Sequence, residues 1–98
     1  MYNVKRTPEF DDWIAGIKDS VTVLRLNRRL DKVERGLLGD VEAVGDGVFE
    51  MREFFGAGWR MYYIAQGDVV IVMLGGGNKS TQQSDIAIAI KLSKLIEE

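Results

Sequence analysis

The sequence predicts an α+β domain in which a mainly antiparallel, twisted sheet has helices packed against it. Three observations lead there. Residues from Val41 to Leu74 alternate with a period of two and are punctuated by glycine-rich turns. Two stretches before that region, and one after it, repeat their apolar residues at helical spacing. No internal repeat or linker interrupts the 98 residues, so residues 1–98 read as a single domain in the order β-α-α-β-β-β-β-α.

Tyr2 to Arg6 reads as a short strand with Tyr2 and Val4 on its buried side. Thr7-Pro8 then supplies an N-cap and a proline at the first helical position. Phe10, Trp13, Ile14 and Ile17 fall at i, i+3, i+4 and i+7, which gives the first helix one apolar stripe. Asp19-Ser20 breaks that helix and caps a second, which continues to about Arg35 with Gly36 as its stop. Val23, Leu26, Leu30, Val33 and Leu37 form its apolar face, while Arg25, Arg28, Arg29, Lys32 and Arg35 crowd another. Five of the thirteen basic residues therefore sit on one helix. This face is either a solvated surface or one that meets a phosphate backbone or an acidic partner.

Val41 to Val44 is the next strand, turned by Gly45-Asp46-Gly47 into Val48 to Phe54. Phe49 and Met51 share one face of the returning strand, and Glu50, Arg52 and Phe54 the other. After Gly56-Ala57-Gly58, the strand from Trp59 to Ala65 sets Trp59, Met61 and Tyr63 against Arg60, Tyr62 and Ile64. Gln66-Gly67-Asp68 reverses the chain into Val69 to Leu74, apolar throughout like a strand covered on both faces. Gly75 to Gly77 read as a loop that opens the last helix, from about Thr81 to Ile96, with Ser80 to Gln83 as a capping box. The same loop, with Lys79, also reads as an anion site in which glycines let a ligand approach the helix N-terminus. A P-loop is excluded, because Met73 and Asn78 stand where that pattern needs glycine.

Composition narrows the chemistry. The chain is 46% apolar with one proline, so it is globular rather than disordered. It contains no cysteine and no histidine, which removes disulfides, thiolate zinc sites, cysteine nucleophiles and imidazole catalysis; no metal or cofactor is expected. The charged, alternating first residues are unlike a signal peptide, so a cytoplasmic protein is expected. The absence of any apolar run of about twenty residues argues against a membrane partner. A net charge of −2 offers no global attraction to nucleic acid, so local distribution has to supply it.

Alternation places Glu50 and Arg52 on one side of their strand and Arg60 and Tyr62 on one side of the next. Hairpin pairing brings both sets to one face, with Lys79 arriving beyond the following strand. The plain reading is a solvated sheet face with ordinary cross-strand ion pairs. The functional reading is a patch suited to single-stranded nucleic acid rather than to a small-molecule ligand, since cations bind phosphates and an aromatic stacks on a base.

These residues carry a family resemblance. Gly47-Val48-Phe49-Glu50-Met51-Arg52, Gly58-Trp59-Arg60-Met61-Tyr62-Tyr63, and Gly75-Gly76-Gly77-Asn78-Lys79-Ser80-Thr81-Gln82 with Asp85-Ile86 resemble the signature of HigB-type addiction-module killer proteins of the RelE/ParE superfamily. That pattern runs G-V-x-E-L-R, then G-P-G-Y-R-V-Y-F, then a strand and G-G-D-K-S-T-Q-x-x-D-I. With Phe10, Trp13, Ile14 and the arginine-rich helix, the resemblance covers nearly the whole chain. Ala57, Trp59 and Asn78 depart from the family's Pro, Tyr and Asp, the net charge is more acidic than is common among relatives, and no tyrosine follows Lys79.

The resemblance implies a RelE-like fold and a type II toxin that cleaves messenger RNA on the translating ribosome without a metal. It also implies a cognate helix-turn-helix antitoxin that holds the toxin inactive. In such toxins the RNA 2′-hydroxyl attacks the adjacent phosphate and leaves a cyclic phosphate and a 5′-hydroxyl. Carried over by position, Arg60 would stabilise charge on the phosphate and Arg52 would hold the neighbouring one. Lys79 would act as a clamp or as an acid–base group, and Glu50 as a base or an orienting group for Arg52. Tyr62 would stack on a base or position the hydroxyl. Thr81 and Gln82 would cap the helix or touch the RNA backbone, and Arg25, Arg28, Arg29 and Lys32 would meet ribosomal RNA or an acidic antitoxin segment. Two other functions stay open: a catalytically silent binding or co-repressor protein of the same fold, and a ParE-like inhibitor of DNA gyrase.

Overall fold

The computed structural model describes residues 1–96. Strand β1 (Asn3–Arg6) leads into helices α1 (Pro8–Ala15) and α2 (Ser20–Glu34). Strands β2 (Val41–Gly45), β3 (Val48–Arg52), β4 (Arg60–Gln66) and β5 (Val70–Gly77) follow, then a 3-10 turn (Lys79–Thr81) and helix α3 (Gln82–Ser93). The five strands form one mixed sheet in the order β1-β5-β4-β3-β2. The four consecutive strands pair antiparallel as the turn chemistry predicts, and β1 joins in parallel beside β5. Among the described residues, no helix is long and apolar enough to cross a membrane.

Local signals set the helix ends. The Thr7 hydroxyl accepts from the Phe10 N–H at 3.1 Å and donates to the Met73 carbonyl at 2.8 Å, which caps α1 and ties it to β5. Asp19 caps α2 by accepting from Val21 N–H, and Gly36 follows the helix with φ +91°.

The sheet separates two apolar layers. On one face, Phe10, Ile14, Leu26, Leu30 and Val33 of α1 and α2 pack on Met51, Met61, Tyr63, Ile71 and Met73. On the other, α3 places Ala89, Ile86 and Ile90 over Val48, Tyr62 and Leu74. The all-apolar strand β5 is covered on both faces, with Ile71 to Leu74 buried. Leu95, read from the sequence as part of the apolar arc of α3, is instead 75% exposed, because the helix ends at Ser93.

The glycine segment is also corrected. Gly75 to Gly77 are not a loop: they complete β5 and pair with Tyr62, Met61 and Arg60. A Cβ on Gly76 would lie 2.4 Å from the Trp13 ring, and one on Gly77 would collide with the Asp85 carboxylate. Those two glycines make room for the protein's own side chains rather than for a ligand. Gly75 has nothing within 4 Å of its Cβ position.

Candidate functional site

Arg52 and Arg60 are partners across β3 and β4, and Arg60 is in turn opposite Gly77 of β5. One rung of the sheet therefore carries two arginines and ends just before Lys79. The Phe54 ring stands beside both guanidiniums, 5.9 Å from the Arg52 carbon and 5.6 Å from that of Arg60. Arg52 is held by the Asp40 and Glu42 carboxylates, each at 2.8 Å. The Asp40 hydrogen bond is the largest influence raising its already high pKa, so this guanidinium is a permanent charge.

Arg60 is 6% exposed, and its Nη1 donates to the carbonyls of Glu53, Gly58 and Trp59 at 3.3 to 3.4 Å. Its Nε is buried without a hydrogen-bond partner among the described residues, 3.9 Å from Glu50 Oε1. Lys79 is exposed. Its backbone N–H donates to the Ala57 carbonyl at 3.2 Å, and its side chain lies over Gly58, where a Cβ would come within 3.2 Å of Lys79 Cβ. Gly58 has φ +74°, so both backbone conformation and space require glycine there.

The rest of the expected patch is covered. Glu50 is 1% exposed and Tyr62 fully buried, because α3 crosses this face at the level of Val48, Tyr62 and Leu74. Gln82, at the start of α3, donates to both Glu50 oxygens at 3.2 and 3.0 Å. The expected base-stacking ring at Tyr62 therefore presents no surface, and Gln82 is committed to a protein carboxylate. The Tyr62 hydroxyl has no hydrogen-bond partner among the described residues, and burial, reinforced by Glu50 and Asp85 and opposed by Arg60, pushes its pKa well above the ordinary phenol value. It stays neutral at physiological pH.

The helix entry differs from the Ser80–Gln83 box. Asn78 Oδ1 accepts from Ser80 N–H at 2.9 Å, and Thr81 Oγ1 accepts from Asn78 N–H at 3.3 Å, so the reciprocal cap spans Asn78 to Thr81. Thr81 also donates to Asp85, whose carboxylate lies over Gly77. The Thr81 hydroxyl is thus occupied within the turn, although the residue is exposed.

The basic face of α2 lies on the other side of the β3–β4 turn. Arg25, Arg28, Arg29 and Lys32 line a groove of about 420 Å³ with Leu37, Gly39, Glu53 and Phe55. The Arg25 guanidinium sits 4.7 Å over the Phe55 ring. Arg25, Arg28 and Lys32 are exposed and form no ion pair with any described residue.

Arg29 does not belong to that exposed face. It is 8% exposed and donates to the carbonyls of Leu38, Asp40 and Arg52 and to the Glu53 carboxylate. Gly39, at φ +71°, makes space for it: a Cβ there would sit 3.1 Å from the guanidinium. Arg29 thus pins the chain after α2 and positions Asp40 for Arg52.

Sequence reading set Phe54 on the Arg52 face without a role, and gave none to Phe55, Asp40 and Glu42. The two phenylalanines immediately precede the G-x-G turn, but which of them stays open depends on the α1/α2 core, against which Phe55 packs. The hairpin turn sets β2 beside β3, but the acidic partners of Arg52 depend on the register, which shifts between Ala43 and Gly45.

Comparisons with known proteins add one relative. A Haemophilus influenzae protein described as uncharacterized is 37% identical over 95 residues, spanning 97% of this chain and 92% of its own length. This chain belongs to the family of that protein. No family model matches the sequence. No solved structure matches it either.

Proposed function

We propose that this protein is a HigB-type toxin with a RelE-like topology, a metal-independent endoribonuclease that cleaves messenger RNA on the translating ribosome. In this reading it is held in check in the cytoplasm by a cognate helix-turn-helix antitoxin. The observation that carries the reading is the in-register pair Arg52 and Arg60, with Lys79 over the adjoining turn. The G-V-F-E-M-R, G-W-R-M-Y-Y and N-K-S-T-Q segments that resemble this class meet at that one end of the sheet.

The chemistry follows from cations beside a phosphodiester. The RNA 2′-oxygen loses its proton to solvent and forms a bond to phosphorus. The bond from phosphorus to the 5′-oxygen breaks, and the leaving oxygen takes up a proton. Arg52, at the open end of the rung, neutralises charge that grows on the phosphoryl oxygens, and Arg60, buried beside it, adds its positive field from beneath. Lys79, exposed at the rim, is the protein group placed to donate to the leaving oxygen. Glu50, with both oxygens turned to Gln82, serves as counter-charge to Arg60 beneath the surface.

A second reading has an observation of its own. Tyr62 is covered, and Arg52 is neutralised by two carboxylates, an arrangement that suits a binding or co-repressor protein with no turnover. Expression of the chain without a partner, with mapping of RNA ends in the cell, separates the readings. The nuclease yields new 5′-hydroxyl ends inside translated frames, and Arg60→Ala abolishes them. Growth arrest with intact messages and damaged DNA replaces it with gyrase inhibition, and no arrest with no new ends leaves the binding protein.

A further inference from the structure

The β3–β4 turn carries two adjacent aromatics that serve opposite sides of it. Phe55 packs toward the α1/α2 core and lines the α2 groove under Arg25. Phe54 stands beside Arg52 and Arg60 and is 74% exposed. Exposed apolar side chains are common on a protein surface; what distinguishes Phe54 is that its open ring is flanked by two guanidiniums rather than by apolar groups. Arg25, Arg28 and Lys32 form no ion pair with described residues on one side of the turn, and Lys79 is exposed on the other.

We infer that a single-stranded RNA segment runs from the α2 groove over the β3–β4 turn to the Arg52–Arg60 rung, with Phe54 as a base-stacking platform. The groove cations take the phosphates on the approach. Phe54 takes a base, as Tyr62 does not, and its place beside Arg60 sets the nucleotide next to the scissile phosphate. Alternation of cations and open aromatic surface is the arrangement that holds a flexible strand without reading a duplex groove. It supplies local attraction to RNA in a chain whose net charge is −2. An acidic protein segment would use the same cations but has no need of the Phe54 face. This track deepens the nuclease reading, since it names the path of the strand into that site.

The test uses the full chain and a fluorescein-labelled 2′-O-methyl oligoadenylate of about ten nucleotides, followed by fluorescence anisotropy over a range of salt concentrations. The 2′-O-methyl groups block attack, so binding is read apart from cleavage. Phe54→Ala weakens binding about tenfold, and Phe54→Trp restores it, which loss of a merely structural side chain would not allow. Arg28→Glu together with Lys32→Glu reduces the salt slope by about 0.7 for each phosphate that is no longer neutralised.

The track is overturned if the wild-type chain does not bind the probe, if Phe54→Ala binds it as tightly as wild type, or if polyglutamate is bound in its place. The nuclease reading fails separately. Intact, Phe54-dependent binding with no cellular cleavage removes the nuclease and keeps the track, whereas cleavage that needs Arg60 with no probe binding does the reverse.

Discussion

Replacing Arg29 by alanine is the sharpest stability test. Its guanidinium donates to three backbone carbonyls and to Glu53, at 8% exposure. Truncation leaves those acceptors and a partly buried carboxylate without their donor, the case in which breaking a buried ion pair costs about 3–5 kcal/mol. A domain of this size has a total stability of roughly 5–15 kcal/mol. Each kcal/mol moves its Tm by about 4–8 °C, so Arg29→Ala lowers the Tm by at least about 12 °C.

Arg28→Ala, one position away on the exposed face, stays within about 0.5 kcal/mol of wild type. Arg29→Lys keeps the charge but not the planar fork, and recovers less than half of the loss. Thermal unfolding followed by circular dichroism at neutral pH, with guanidinium titration as a check, reads all three. An Arg29→Ala protein that melts within about 3 °C of wild type, or together with Arg28→Ala, would refute the assignment of Arg29 to the interior.

Four further outcomes are expected. Gly76→Ala drives a methyl into the Trp13 ring and costs about 1–3 kcal/mol, whereas Gly75→Ala faces open space and leaves the denaturation midpoint essentially unchanged; equal effects would contradict this account of the strand. Tyr62→Phe removes a buried hydroxyl without a partner and raises the Tm at neutral pH, the gain being about 1–3 kcal/mol; a lower Tm would show that the hydroxyl is satisfied. Tyr62 and Tyr63 both have folded pKa values above the ordinary 10.0, so their contribution is complete below pH 10.0 and declines as pH rises above it; Tyr62→Phe flattens that decline in pH-dependent unfolding curves. Gln82→Glu sets a second carboxylate against buried Glu50 and destabilises more than Gln82→Ala; the reverse order in melting experiments would break the proposed pairing.

Most elements and turns, and the facing of β3 and β4, were legible in the sequence because they depend on neighbours in the chain; the Gly75–Gly77 segment and the limits of α3 were not. Apolar spacing located α1 and α2, Thr7 and Asp19 marked their starts, and period-two alternation sorted Met51, Met61 and Tyr63 from Glu50, Arg52, Arg60 and Tyr62. The presence of Arg52 and Arg60 on one rung followed from the same alternation and a hairpin turn.

What each face meets was decided by the tertiary structure. Helix α3 folds back over Tyr62 and Glu50, so an alternating polar row became a buried cluster with only its end open. The chain after α2 returns beside Arg29 and converts one cation of a basic stripe into an internal clasp, while Arg25, Arg28 and Lys32 stay at the surface. Gly76 and Gly77 continue a strand because Trp13 and Asp85, far apart in the chain, occupy the space their side chains would need. Periodicity states which residues point the same way. Desolvation and pairing depend on what arrives from elsewhere in the chain, and those decide which of the cations face solvent.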